Sequence, residues 1–154
     1  MKVLFLCYGN ICRSPLAEGI FDTLVKQNNL AITCDSAGIA NYHVGSVPHY
    51  ESVNVAKKYG ITLTHRGRQL VKEDFENFDY ILAMDKGNLE AAKKLAMKAE
   101  NPKANLHLMR EFDSDKGSLE VDDTFGYGAK KYEECYQILN RSCKGLLEYL
   151  TKLR

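Results

Sequence analysis

Val3-Leu4-Phe5-Leu6-Cys7-Tyr8-Gly9-Asn10-Ile11-Cys12-Arg13-Ser14-Pro15 is the stretch on which the fold turns. Its apolar opening reads as a short buried strand, and an apolar-periodic segment begins at Pro15. A cysteine at a strand end, a loop, then an arginine at a helix N-terminus is a geometry for gripping phosphate. Backbone N–H groups of such a loop converge on an anion, and the helix dipole favours negative charge there. The same field favours anionic sulfur at Cys7, which makes it a usable nucleophile. Arg13 offers a planar fork of donors to two phosphate oxygens. A Cys and an Arg six positions apart would be commonplace, and cysteines are often buried simply as small hydrophobes. The longer string is not commonplace. Gly9 suits unusual dihedrals, Asn10 tolerates the left-handed region, and Pro15 sits where a helix loses nothing by lacking an N–H. The string implies a cysteine that attacks phosphorus.

Outward from this stretch, strands and helices alternate. Residues 2–6 read as a strand, and 15–28 as a helix with Leu16, Ile20, Leu24 and Val25 on one face. A second strand is expected over 31–35, ending in Ser36-Ala37-Gly38. A loop over 41–47 leads to a helix from Pro48 that stops at Gly60. A short helix over 71–75, a buried strand over 80–84, a helix over 88–99 and a last strand over 105–109 follow. The final helix repeats Tyr132, Tyr136, Leu139, Cys143, Leu146, Leu147 and Leu150 every three or four positions. Continuous rather than alternating apolar strands, separated by helices, argue for an α/β parallel sheet covered on both faces. Ligands in such folds bind at the carboxyl ends of strands, where Cys7 lies. The 154 residues are expected to form one domain, 1–154.

Charge and composition exclude several classes of function. With 21 basic and 20 acidic residues the formal net charge is +1, so no global field favours nucleic acid or an acidic membrane. No apolar run approaches the ~20 residues of a spanning helix, and the opening strand is too short for a signal-peptide core. The 5 cysteines include no Cys-x-x-Cys pair, so reduced thiols and a cytoplasmic setting are expected. Histidines 43, 49, 65 and 107 lack zinc-ligand spacing, and no metal site or cofactor is expected.

A polar loop over 110–128 runs about 19 residues, longer than the ~12–15 usual for a loop without its own structure. It holds Glu120-Val121-Asp122-Asp123-Thr124-Phe125-Gly126-Tyr127-Gly128. Adjacent carboxylates before a helix read as a capping turn, or, beside a phosphate loop, as an acid for a leaving oxygen with aromatic walls.

The run Cys7 to Glu18 resembles the signature of the low-molecular-weight protein tyrosine phosphatases. The resemblance continues through Asp35-Ser36-Ala37-Gly38, Tyr42-His43-Val44-Gly45, Gly60-Ile61, His65 to Leu70, Asp74-Phe75, Phe78-Asp79 and Met84 to Leu89. It implies a single three-layer domain with a four-stranded parallel twisted sheet and helices on both faces. It further implies metal-independent hydrolysis of phosphotyrosine in proteins, with inorganic phosphate and other oxyanions as inhibitors. By that resemblance Cys7 attacks phosphorus, and Arg13 with the amides of Tyr8, Gly9, Asn10, Ile11 and Cys12 binds the phosphoryl oxygens. Ser14 donates to the Cys7 sulfur, Asn10, Ser36 and His65 brace the loop, and Tyr42, Phe125 and Tyr127 contact substrate. It also implies a protective Cys7–Cys12 disulfide under oxidation.

The chain departs from the family twice. The family's acid is an Asp followed by Pro and two tyrosines, whereas here Asp123 precedes Thr124, Phe125, Gly126 and Tyr127. Counting from Val121 makes Asp123 the acid, with Asp122 as a substitute. At His49-Tyr50-Glu51 the family places Asp-x-Arg, a change expected to touch helix stability and not chemistry. Protein arginine phosphatases of the same superfamily are the alternative. They carry Thr where this chain has the apolar Ile11, which suits an aromatic ring. Arsenate reductases of this fold need further cysteines over 70–100, and the chain has none there.

Overall fold

Strand β1 (Lys2–Cys7) is buried on both sides, and the two-residue period of a strand divides its side chains between two cores. Val3, Phe5 and Cys7 enter one core, Leu4 and Leu6 the other. This computed structural model describes residues 1–153. Helix α1 (Arg13–Gln27) follows the loop after β1 and leads to β2 (Thr33–Gly38). Then come α2 (Tyr50–Lys58), α3 (Asp74–Asn77), β3 (Tyr80–Ala83), α4 (Lys86–Ala96) and β4 (Asn105–Leu108). A 3-10 turn over Met109–Phe112 and the long helix α5 (Ala129–Lys152) complete the chain.

The four strands lie in the order β2-β1-β3-β4, and every pairing is parallel. From β1 the chain goes to the neighbour on one side and then returns to the other, so the strand order reverses beside β1. Ligand crevices in such sheets open at that reversal, outside the carboxyl ends of the strands. Cys7 is the last residue of β1. Helices α1, α2 and α5 supply the first core, with Leu16, Ile20 and Phe21 facing Tyr136, Leu139, Cys143 and Leu146. The opposite core holds Phe75, Phe78, Ile81, Ala83 and Ala92.

The expected elements are present, with shifted ends. Helix α1 begins at Arg13 rather than Pro15, which puts the proline third, still among the first four residues whose N–H has no helical acceptor. Strand β2 runs from Thr33 through Gly38, two residues later than its pattern suggests, because register with β1 pairs Cys7 with Gly38. The short helix after Val71 falls at Asp74–Asn77, where Asp74 accepts the Val71 amide at 2.9 Å and starts the turn. Helix α4 starts two residues early because Asp85 caps it, accepting from the Asn88 amide at 2.8 Å.

The loop after β4 also has structure of its own. Its first residues form the 3-10 turn, and Asp113, fully buried, takes Arg110 and Arg141 at 3.0 and 2.8 Å. Gly60 takes the left-handed φ of +79° expected where a helix stops. Among the described residues, no helix is long and apolar enough to cross a membrane.

Gly38 bears most directly on the cavity. A Cβ there would meet Tyr8 O at 2.9 Å and Asn10 N at 3.1 Å, both backbone of the loop after β1. Gly38→Ala is therefore expected to cost about 1–3 kcal/mol, the usual range for overpacking, and to lower oxyanion affinity by displacing the loop. Chemical denaturation and a vanadate titration measure both. An alanine variant with unchanged stability and binding contradicts this role.

Candidate active site

Asn10 sits in the loop between β1 and α1 with φ of 58°, a left-handed backbone that few residues other than glycine accept. Its side chain is 1% exposed and uses every hydrogen-bonding position it has. Oδ1 accepts from the Arg68 amide at 3.0 Å and from His65 Nε2 at 2.7 Å. Because an amide N–H can only donate, that atom is the oxygen and His65 donates through Nε2. Nδ2 donates to Ser14 Oγ at 2.7 Å and Ser36 Oγ at 3.0 Å.

Behind Asn10, Ser36 donates to Glu18 Oε1 at 2.6 Å, and His65 Nδ1 faces Glu18 and Asp35 at 3.2 and 3.3 Å. Glu18, Asp35 and His65 are the one potential metal-ligand group found among the described residues, their atoms within 4.8 Å of one another. Those atoms are engaged with Ser36, Arg68 and each other. Burial pushes the Glu18 carboxyl up. Burial works against the Asp35 charge too, but His65, the Ser36 amide and Arg68 outweigh it and hold Asp35 at about 2.

In front of Asn10 lies Cys7, 2% exposed. Its Sγ is 3.0 Å from Ser14 Oγ and accepts the Asn10 amide at 3.3 Å. With Asn10 Nδ2 donating to Ser14, the serine's own hydrogen is free to point at the sulfur. Arg13 is 3% exposed and donates from one terminal nitrogen, Nη1, to Asp85 Oδ2 and to Val121 O, both at 2.8 Å. Nε and Nη2 remain for the two oxygens of a tetrahedral anion. Burial opposes the Arg13 charge, but the Cys7 sulfur and Asp85 overcome it and raise the guanidinium above its ordinary value.

Cys7 and Arg13 form the floor of a cavity of about 290 Å³ whose walls are Tyr8, Gly9, Ile11, Cys12, Tyr42, His43, Asp123 and Phe125. Nine of the residues singled out in the sequence therefore line one space. Asn10 and Ser14 lie beneath it. Asp123 Oδ1 accepts the Phe125 amide at 3.0 Å, which fixes the carboxylate and leaves Oδ2 without a partner among the described residues. Asp122, 75% exposed, instead pairs with Lys131 at 3.3 Å.

Tyr127 does not join the cavity. Gly126, at φ +86°, turns the chain away and leaves Tyr127 exposed, so Phe125 alone provides the aromatic wall from this loop. The sequence reading missed Asp85 and Val121 as the anchors of Arg13, and His43 as a wall. Asp85 carried a signal, an acid placed as a helix cap two residues after strand β3. The Val121 carbonyl carried none, being backbone.

A sequence profile described as "Low molecular weight phosphotyrosine protein phosphatase" matches residues 2–154. A rat protein of that name is 41% identical over 149 residues, covering 96% of this chain and 94% of its own. Among solved structures, a protein tyrosine phosphatase from Entamoeba histolytica matches at 35% identity with TM-score 0.91, covering 99% of this chain and 97% of that one. An arginine phosphatase from Drosophila matches at 34% identity with TM-score 0.93, covering 97% and 98%.

Asp35 gives the cluster behind the loop a pH signature. Held at about 2 when folded against about 3.9 unfolded, it contributes stability that is complete above the unfolded value. That contribution is lost as pH falls through the folded value. The stability difference between wild type and Asp35→Asn should shrink as pH falls through this window, followed by denaturant unfolding. A difference constant across the window contradicts the assignment.

Proposed function

Because the chain belongs to the low molecular weight phosphotyrosine protein phosphatase family, we propose that it hydrolyses phosphotyrosine in proteins, and small aryl phosphates, without metal or cofactor. The observation that carries this reading is the convergence of Cys7 and Arg13 on the floor of one cavity, with Asp123 in its wall. The phosphoryl group enters with its oxygens on the loop amides and on Nε and Nη2 of Arg13. Cys7 sulfur attacks phosphorus in line, the P–O bond breaks, and Asp123 delivers a proton to the departing phenolate oxygen. Water then attacks the phosphocysteine while Asp123 takes a proton from it, releasing inorganic phosphate and the Cys7 sulfur. Ser14 and the Asn10 amide stabilise negative charge on that sulfur in both steps.

Tyr8, Tyr42 and Phe125, with Ile11, give an apolar mouth for an aromatic ring. Tyrosine-phosphorylated proteins are thus the substrates, inorganic phosphate and other oxyanions the competitors, and the cytoplasm the setting. Peroxide is read as acting at Cys7, with Cys12 as the neighbouring thiol that captures the oxidised sulfur. Hydrolysis of phosphoarginine is the second reading, favoured by the likeness to the Drosophila arginine phosphatase. A steady-state comparison of phosphotyrosine and phosphoarginine peptides decides between them, and a preference for phosphoarginine overturns the first.

Cys7→Ser is expected to abolish turnover while vanadate still binds, because Arg13 and the amides remain. Turnover near wild type would sink covalent catalysis. A positioned acid contributes roughly 10²–10⁴ in rate, so Asp123→Asn should slow phosphotyrosine far more than activated aryl phosphates. If Asp122→Asn shows that leaving-group-dependent loss and Asp123→Asn does not, the acid is Asp122.

A further inference from the structure

Cys12, His49, Thr124 and Tyr132 come from four separate parts of the chain and bring their polar atoms together beside the cavity. Tyr132 and Thr124 are each 1% exposed. The Tyr132 hydroxyl lies 3.3 Å from Cys12 Sγ and 3.4 Å from His49 Nδ1. Nδ1 accepts the Glu51 amide at 3.1 Å, so it carries a lone pair and Tyr132 is the group that donates toward it. Burial pushes the Cys12 thiol up, so it keeps a hydrogen to offer the Tyr132 oxygen.

The buried Thr124 hydroxyl belongs to this group through its neighbour Phe125, whose ring meets His49. It makes no hydrogen bond of good geometry and is one of three such buried side-chain atoms among the described residues. A buried hydroxyl left uncommitted calls for a reason.

The cluster touches both loops of the site. On the phosphate-loop side it includes Cys12, and the His49 amide donates to Ile11 O at 2.8 Å. On the acid-loop side it reaches Thr124, and the His49 ring meets Phe125 edge-on at 5.7 Å while lying parallel to Tyr132 at 5.5 Å. Thr124 is the residue directly after Asp123. No proline fixes the backbone there, and among the described residues the Thr124 amide makes no hydrogen bond. Beside the Phe125–His49 contact, the buried side chain of Thr124 is the part of the acid's segment nearest this cluster with a hydrogen bond still to make.

We propose that Tyr132 and Thr124 are positioning residues for Asp123, the Tyr132 hydroxyl being the docking point on which the Thr124 hydroxyl closes when substrate is bound. The contact takes the part that a proline after the acid would play, by a hydrogen bond in place of a ring. It rests on the reading of Asp123 as the acid. Hydrogen bonds of a catalytic assembly are often long without substrate and shorten in the complex, which fits a hydroxyl that is beside its partner and not yet bonded. His49 holds Tyr132 from the other side while the same Nδ1 caps α2.

The test is the dependence of kcat/KM on leaving group across aryl phosphates, measured for Tyr132→Phe, Thr124→Val, their combination, Thr124→Pro and Asp123→Asn, with thermal unfolding of each as a check on folding. Tyr132→Phe and Thr124→Val should each slow phosphotyrosine about two- to tenfold, the effect of one neutral hydrogen bond. Neither should slow the most activated substrate. The double variant should lose no more than either single one, since both remove the same contact. Thr124→Pro should keep the wild-type dependence and make Tyr132→Phe silent, because the ring restrains the backbone directly. Single variants with an unchanged dependence, or with equal losses on all substrates, overturn the proposal. If Asp123→Asn itself leaves the dependence unchanged, the acid reading fails first, and this proposal with it.

Discussion

The left-handed backbone of Asn10 is the constraint on which the rest of the site depends. Held at φ 58°, it turns the loop so that its own amide donates to the Cys7 sulfur. That conformation is costly for a residue with a Cβ and persists when its surroundings over-determine it. The surroundings do so completely. Two donors and two acceptors from Ser14, Ser36, His65 and Arg68 occupy the whole side chain, drawn from the first helix, the second strand and a loop near the middle of the chain.

Those partners are fixed in turn by ion pairs. Arg68 holds Asp35 at 2.9 Å and Asp74 at 3.1 Å, and Glu18 receives both Ser36 and His65. A shell of charge surrounds a neutral amide, which surrounds a sulfur. The arrangement places charged groups where solvent reaches them in part and keeps the uncharged donors next to the nucleophile. Asp74 is the buried member of that shell, and Arg13 is a second buried charge, with Asp85 as its ion-pair partner. Pairing one terminal nitrogen to Asp85 and Val121 both stabilises the buried guanidinium and sets which edge faces the cavity. Asp85 caps α4 two residues after β3, and β3 lies beside β1 in the sheet. Strand order thereby decides the orientation of a side chain at the start of α1.

The same logic relates the two halves of the site. The phosphate loop is rigid because its donors are counted and used. The acid loop between Val121 and Gly128 is held by the Val121 amide and carbonyl at one end, the turn around Gly126 at the other, and the Asp122–Lys131 pair and the Phe125–His49 contact between. Between them the side chain of Thr124 enters the interior and Asp123 faces the cavity.

The sequence by itself determined the strand-loop-helix at Cys7, the α/β alternation, the covered parallel sheet and the roles open to Cys7 and Arg13. These are local matters: apolar runs, caps, glycines and the period of a helix act within a few residues of one another. Element ends moved by one to three residues where a partner in another element chose them, as when register with Cys7 carried β2 on to Gly38. Only the tertiary structure decided which of the adjacent Asp122 and Asp123 faces the cavity, that Tyr127 does not, and that Val121 O and Asp85 hold Arg13. It also brought His49, Thr124 and Tyr132 to one point. The anchoring of Arg13 and the meeting of His49 with Tyr132 join groups 70 or more positions apart, and the Val121 carbonyl is a backbone atom that every residue carries alike. A linear pattern holds no trace of such meetings, because the chain's path through the sheet creates them.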